Sequence, residues 1–413
     1  MMKPMETDAK GERSAGGEST RPDTRFILTA RQFQVLALVL LALSLLKGLR
    51  LPNRFALTHY VFSYDDGFVR RGLWGSLLTP LEPFSYWQLA GIALVLLTAL
   101  ILIGWRLARQ DEKAGIASAL PWLAFLASPG LVFLFHIVGY LDYLLIISVW
   151  ALLLSSRRLG TARTQLAIYL LAPITLMLHE AAIAIVIPAF FLILVVQAGD
   201  TWRAVKSATV LAVITLVGLL AVLHFGTLDD SLRDDVQASL DARASFELRH
   251  DATGALFHRL DDRLDRLQEI NSNKARPRQF ASSLLLFMPT SLFFLWLALT
   301  QWKARDHRTR TLIVALSVVG VGLAPMLLHL VAYDLHRWHA LTNVAAFTTW
   351  LIMIRSRADD EAIATASLGT TLLIVFLCLS STNNFFGNYQ PNHFPEYGHV
   401  RHLFSWGDDA AIP

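Results

Sequence analysis

Phe33-Gln34-Val35-Leu36-Ala37-Leu38-Val39-Leu40-Leu41-Ala42-Leu43-Ser44-Leu45-Leu46 is an apolar run without an acidic residue, and it continues to Arg50. A helix rises 1.5 Å per residue, so about 20 apolar residues cross the hydrocarbon core of a bilayer. The run at 33–50 meets that template. So do stretches near 87–107, 118–138, 141–155, 165–179, 181–198, 207–224, 281–302, 312–332, 338–354 and 362–381. The fold class that follows is all-α: a polytopic integral membrane protein with about eleven transmembrane helices.

Composition agrees. Of 413 residues, 54% are hydrophobic and 16% charged, against roughly a quarter charged in a soluble domain. The single cysteine, Cys378, excludes an internal disulfide framework and a cysteine-ligated metal centre. A formal charge of +4 is too small to point to nucleic acid. The polar stretch 1–30 is expected to be disordered. The first apolar run lacks a small-residue cleavage site and is expected to stay as a signal anchor.

Orientation comes from the short loops. Arg106, Arg109 and Lys113; Arg157, Arg158 and Arg163; Arg203 and Lys206; Lys303, Arg305, Arg308 and Arg310; and Arg355 and Arg357 all fall in alternate loops. The positive-inside rule makes that set cytoplasmic. The N-terminus is then inside and the C-terminal tail, 383–413, outside. The transmembrane domain covers 31–382, with a first outer loop at 51–86 and a large outer loop at 225–280. Within the latter, Phe257, Leu260, Leu264 and Leu267 recur at helical spacing and predict an amphipathic surface helix.

This topology collects the unusual polar residues on the outer face. The first outer loop carries Ser63-Tyr64-Asp65-Asp66-Gly67-Phe68-Val69-Arg70-Arg71-Gly72-Leu73-Trp74-Gly75. His136 and Asp142 flank the next outer turn. His179 and Glu180 interrupt a long apolar stretch at another. Asp334, His336, Arg337 and His339 fill a fourth. Charges near membrane depth cost several kcal/mol unless paired or wetted, so four clusters at one depth predict a shared polar pocket. The segment from Asp66 to Leu78 is expected to be helical, with Asp66 and Arg70 on one face. His179-Glu180 lacks the second histidine of a zincin, so a zinc protease is excluded. Asp65 or Asp66 supplies oxygen ligands for a divalent metal such as Mg or Mn.

Outer carboxylates beside arginines suit transfer from a lipid-linked phosphosugar. Arginines hold a phosphate bidentately, and a carboxylate takes the acceptor proton. No Gly-rich nucleotide loop is present. Asp65-Asp66 directly after the first span, followed by Arg70-Arg71, resembles the polytopic GT-C glycosyltransferases, and more loosely the O-antigen polymerases and ligases of bacterial envelopes. The large outer loop is mixed in charge, unlike the arginine-bearing loops of the polymerases. The resemblance implies a site on the periplasmic face of the bacterial inner membrane and a polyprenyl-phosphate or polyprenyl-diphosphate sugar donor. The acceptor would be a glycan or lipid. It makes Asp65 or Asp66 the base or metal ligand. Arg70, Arg71 and Arg337 become phosphate contacts. His179 and Glu180 join the catalytic set, and Asp142, Asp334, His336 and His339 the substrate-binding set. The rival readings are a transporter or flippase of a similar lipid or anion, and a non-catalytic envelope assembly protein.

Overall fold

The computed structural model describes residues 28–257, 265, 268, 276–302, 308–330, 334–356 and 367–381. Most of the expected amphipathic segment 257–267 and both terminal tails lie outside the described residues. Among the described residues the regular structure is helical, and the extended pairing is one isolated parallel bridge between Phe84 and Ala244.

Among the described residues, six segments are long and apolar enough to cross a membrane. They are α1 (Ala30–Gly48), α4 (Tyr86–Ala114), α7 (Asp142–Leu178), α9 (Thr201–Phe225), α12 (Arg276–Gln301) and Leu312–Leu330. The last runs from α13 (Arg308–Leu323) into a 3-10 turn. Helices α5 (Ile116–Leu126) and α6 (Pro129–His136) form a pair bent by 51°. Ser128 caps α6 by accepting from the Leu131 N–H, and Pro129 then starts the helix without needing a donor. Two shorter apolar helices, α8 (Ala182–Gln197) and α15 (Leu368–Ser381), complete the bundle together with α14 (Leu335–Arg355).

Helix α7 has 37 residues, which laid straight would reach about 55 Å. Yet Asp142 at its start and His179 just past its end both touch the Arg337 guanidinium. The chain therefore reverses within α7. The reversal is at Gly160, whose φ of 71° and ψ of 170° are non-helical. Glycine bears that left-handed φ without penalty. Residues 142–159 and 161–178 are thus two antiparallel helices, with Arg157, Arg158 and Arg163 at their turn.

Every residue of α14 from Leu335 to Arg355 is buried. A helix covered on every side, its polar residues included, lies at the centre of its bundle. Its aromatic packing shows that position: Phe347 stacks on Phe125 at 3.9 Å and meets Trp122 edge-on at 4.7 Å. Two ends of the bundle follow from α14. At one end Arg337 gathers both termini of α7. At the other, Arg355 reaches Asp111 near the end of α4, and Gln34 at the start of α1 donates to Glu112.

The segment after α9 packs against the first loop. It contains α10 (Arg233–Arg243) and α11 (His250–Thr253), and it docks on the loop that carries α2 (Arg54–Thr58) and α3 (Gly72–Leu78). The Phe84 N–H donates to the Arg243 carbonyl at 2.7 Å, and the Ser245 N–H donates to the Phe84 carbonyl at 2.8 Å. Arg54 pairs with Glu247 at 2.7 Å, and the Arg249 N–H donates to the Thr58 hydroxyl at 3.1 Å.

Helix α3 is seated just as closely. A Cβ on Gly75 would lie 2.0 Å from the Phe62 carbonyl oxygen, whereas a Cβ on Gly91 would meet nothing within 4 Å. Gly75→Ala is expected to lower stability in detergent by about 1–3 kcal/mol or to prevent folding, and Gly91→Ala to be neutral or slightly stabilising. Thermal unfolding of the two variants side by side checks this.

Candidate functional site

The charged stretch of the first loop is not one helix. Ser63 caps a single 3-10 turn, Tyr64–Asp66, by accepting from the Asp65 N–H. Gly67 then takes φ 99°, and Arg71 takes φ 64° before α3 begins at Gly72. The expected helix from Asp66 to Leu78, with Asp66 and Arg70 on one face, is corrected accordingly. Local propensity loses to tertiary bonds. The Arg70 N–H donates to the Gly226 carbonyl at 3.1 Å, and its guanidinium reaches the same carbonyl and the Thr227 hydroxyl. Arg70 thereby ties the loop to the end of α9.

Arg71 is the one non-glycine residue with positive φ among the described residues. An αL conformation at a branched-out, charged residue costs energy and persists where surrounding contacts fix it. Here the strained backbone aims the side chain into the bundle. The guanidinium forks onto Glu180, with Nε to Oε2 at 3.0 Å and Nη2 to Oε1, and Nη1 lies 2.6 Å from His59 Nε2. His179 Nδ1 is 3.4 Å from Glu180 Oε2, and its Nε2 is 3.3 Å from Arg337 Nη2. Arg337 clasps Asp142 at 2.8 and 3.0 Å, reaches Asp334 at 3.3 Å, and lies 4.7 Å over the Tyr140 ring.

The result is one continuous chain of contacts, His59–Arg71–Glu180–His179–Arg337–Asp142. It draws on the first loop, both ends of α7 and the start of α14. Asp142 is fully buried, and the side chains of Arg337, His179, Arg71 and Glu180 are 8, 7, 14 and 15% exposed. Each arginine has its own carboxylate, which is how so much charge can sit in so apolar a bundle. Burial, followed by the charge of Arg71, pushes both His59 and His179 well below the ordinary imidazole value. Both rings are neutral at pH 7.

Asp65 and Asp66, in the same loop as Arg71, gather around a different arginine. Arg243, from the end of α10, contacts Ser63 and Asp66 and lies 3.7 Å from Asp65 and 4.0 Å from Glu82. Ser239 donates to Asp66 at 2.8 Å. The Asp66 side chain is 7% exposed and committed to these partners; that of Asp65 is 69% exposed and accepts from the Ser63 hydroxyl at 2.8 Å. Burial raises the Glu82 carboxyl, against the pull of Arg243. The group is therefore built around a guanidinium. No group of three His, Cys, Asp or Glu side chains able to hold a metal ion occurs among the described residues.

No protein-family model, curated protein or solved structure matches the chain. Arg71, Asp142, His179, Glu180, Asp334 and Arg337 come together as one cluster, and Asp65 and Asp66 instead gather around Arg243. His336 and His339 face elsewhere, since both reach the Ser283 hydroxyl of α12, at 3.0 and 3.1 Å. His136 is buried at the end of α6. Three members are not singled out by sequence reasoning: His59, Arg243 and Ser239. His59 had a signal, being the lone imidazole in the apolar run Phe55–Phe62. Arg243 and Ser239 sit among many charges of both signs and had none.

The buried pairs carry two expectations. Asp142→Ala leaves the Arg337 charge buried without its counter-ion and should cost about 3–5 kcal/mol, while Asp142→Ala combined with Arg337→Leu should recover much of that loss in thermal unfolding. The histidines set a pH dependence. Unfolded, they protonate below their ordinary 6.5; folded, they resist it. Stability should be flat above about pH 6.5 and fall as pH drops towards about 5. His59→Gln with His179→Gln should flatten the acid limb of Tm against pH.

Proposed function

We propose that the protein is a membrane glycosyltransferase that moves a sugar from a polyprenyl-phosphate or polyprenyl-diphosphate donor to an acceptor on the outer face of a bacterial inner membrane. Eleven crossings fit the helices: α1, α4, the α5–α6 pair, the two halves of α7, α8, α9, α12, α13 with its 3-10 extension, α14 and α15. The arginines at Gly160 and around the end of α4 then face the cytoplasm, and the site faces outward.

One observation carries the reading. A solvent-accessible carboxylate, Asp65, shares a short loop with an arginine, Arg71, whose strained backbone sends it into a buried cluster of arginine, histidine and carboxylate. Asp65 takes the proton of the acceptor hydroxyl. The acceptor oxygen forms its new bond to the anomeric carbon as the bond from that carbon to the phosphate oxygen breaks. The electron pair leaves with the polyprenyl phosphate, and a guanidinium fork stabilises its charge. Arg71 is the phosphate contact nearest in the chain to Asp65, and Glu180 and His59 hold its fork in place. Arg337 with Asp142 and His179 is the deeper support. Asp66 and Arg243 fix the loop, and Arg70 anchors it to α9.

The transporter reading draws on the bent α5–α6 pair, since transporters break helices near the midplane. The bend is closely packed, however, because a Cβ on Gly130 would lie 2.6 Å from the Asn343 side-chain oxygen. Charge gathers at the end of the bundle instead.

The test is transfer of labelled sugar from polyprenyl-linked donor by membranes containing each variant. Asp65→Asn should lose about a hundredfold or more of the rate while the protein folds and inserts normally. Arg71→Lys should lose activity through its broken fork, and Asp66→Asn should be impaired less than Asp65→Asn. Full activity in Asp65→Asn would remove the assigned base.

A further inference from the structure

Three histidines outside the arginine cluster meet at one place. His336 and His339 belong to the first two turns of α14, and His329 comes from the 3-10 turn Ala324–Leu330 before it. The His329 and His339 rings stand 4.8 Å apart. Phe280 of α12 packs edge-on against both, at 5.5 and 5.2 Å.

Hydrogen bonds fix where the ring protons sit. The Leu335 carbonyl can only accept, so His339 Nδ1, 2.8 Å away, carries the proton. The lone pair of that ring is then on Nε2. His339 is 1% exposed, and its Nε2 has no hydrogen-bond partner among the described residues. His329 Nε2 is likewise buried and without a partner among the described residues. The Ser283 hydroxyl also accepts from His339 Nδ1, at 3.1 Å, which leaves its own proton for His336 Nδ1 at 3.0 Å. His336 accordingly keeps its proton on Nε2 and offers no third lone pair there.

A backbone carbonyl on Nδ1 with a bare Nε2 on the other side is the arrangement of a metal-binding histidine. Buried polar atoms without partners call for a water or an ion. Two imidazoles that share an ion about 2.0 Å from each nitrogen set their ring centres about 5–6 Å apart. From 4.8 Å, His329 and His339 reach that spacing by a small rotation of His329, which is only half-buried.

The donor atoms select the ion. Asp334 is paired with Arg337 at 3.3 Å, and neither ring contacts a carboxylate among the described residues. Arg276 is a further positive charge close to His329. Both features disfavour Mg2+ and Ca2+, which are held by oxygen ligands. They leave the ions that imidazole lone pairs hold, zinc and copper above all.

We propose that His329 and His339 bind a zinc or copper ion through their Nε2 atoms, with water completing its coordination at the half-buried edge of His329. The ion ties the 3-10 turn to α14 two residues from Arg337, and so steadies the end of the helix that carries the arginine cluster.

The experiment is isothermal titration of the full-length, tag-free protein in detergent with Zn2+, and with Mg2+ for comparison. One Zn2+ per chain should bind at this site. His329→Ala and His339→Ala should each weaken it about tenfold or more. Alanine at the tail histidines His393, His399 and His402 should leave it unchanged. Electron paramagnetic resonance of the Cu2+ form should count two imidazole nitrogens in the wild type and one in either single variant. Zn2+ should raise the Tm of the wild type and not that of His339→Ala. Should one variant fail to fold, the other variant and the wild-type nitrogen count decide. Unchanged binding in the folded single variants would overturn the proposal, as would binding lost with the tail histidines or Mg2+ bound as tightly as Zn2+. No Zn2+ bound at all would overturn it too, and would make water the occupant.

Discussion

The structure turns on burying an arginine that cannot lose its charge. Arg337 is deep in a bundle whose central helix has no exposed residue, and its carboxylate, Asp142, is fully buried. An unpaired guanidinium there would cost several kcal/mol. Satisfying it requires both ends of α7 to arrive at one point, and so requires the reversal at Gly160. The hairpin, the position of α14 and the placement of His179 and Glu180 are all consequences of that one pairing. Once Glu180 is in place, Arg71 has a partner within the bundle, and the first loop is pulled over the site.

Strain and docking explain how that loop keeps its shape. A left-handed Arg71 is tolerated because its neighbours are held on every side: Arg70 by the end of α9, Asp66 by Arg243 and Ser239, and α3 by the carbonyls under Gly75. The segment after α9 is therefore part of the site. Without Arg243, two adjacent carboxylates would repel each other. With it, one is neutralised and the other stays accessible. That asymmetry gives Asp65 and Asp66 different surroundings, a distinction invisible in the dipeptide.

Much of the bundle was legible in the sequence because apolar length and the alternation of basic loops are direct records of a bilayer. The reversal near Arg157–Arg163 and the break at His179 follow from such signals, whereas the pairing of Arg337 with Asp142 depends on helix packing that one sequence does not fix. The local structure at Asp66–Arg71 was not legible. Its helical spacing was overridden by tertiary bonds to Gly226 and Thr227, which lie more than a hundred residues away. Arg243 could not be found by pattern, because in α10 it is one charge among many. His336 and His339 carried the same surface signal as Arg337, yet their helix turns them towards Ser283. A single sequence gives the period of a helix but does not say which face meets the site.

The whole account depends on which side of the membrane the site faces. The most direct measurement is labelling of single cysteines, in a Cys378→Ser background, with a membrane-impermeant maleimide in vesicles of known sidedness. A cysteine at Asp65 should react from the outer side, and one at Thr161, in the arginine-rich turn of α7, only from the cytoplasmic side. The reverse pattern would put the carboxylates and the arginine cluster inside the cell and would contradict the account.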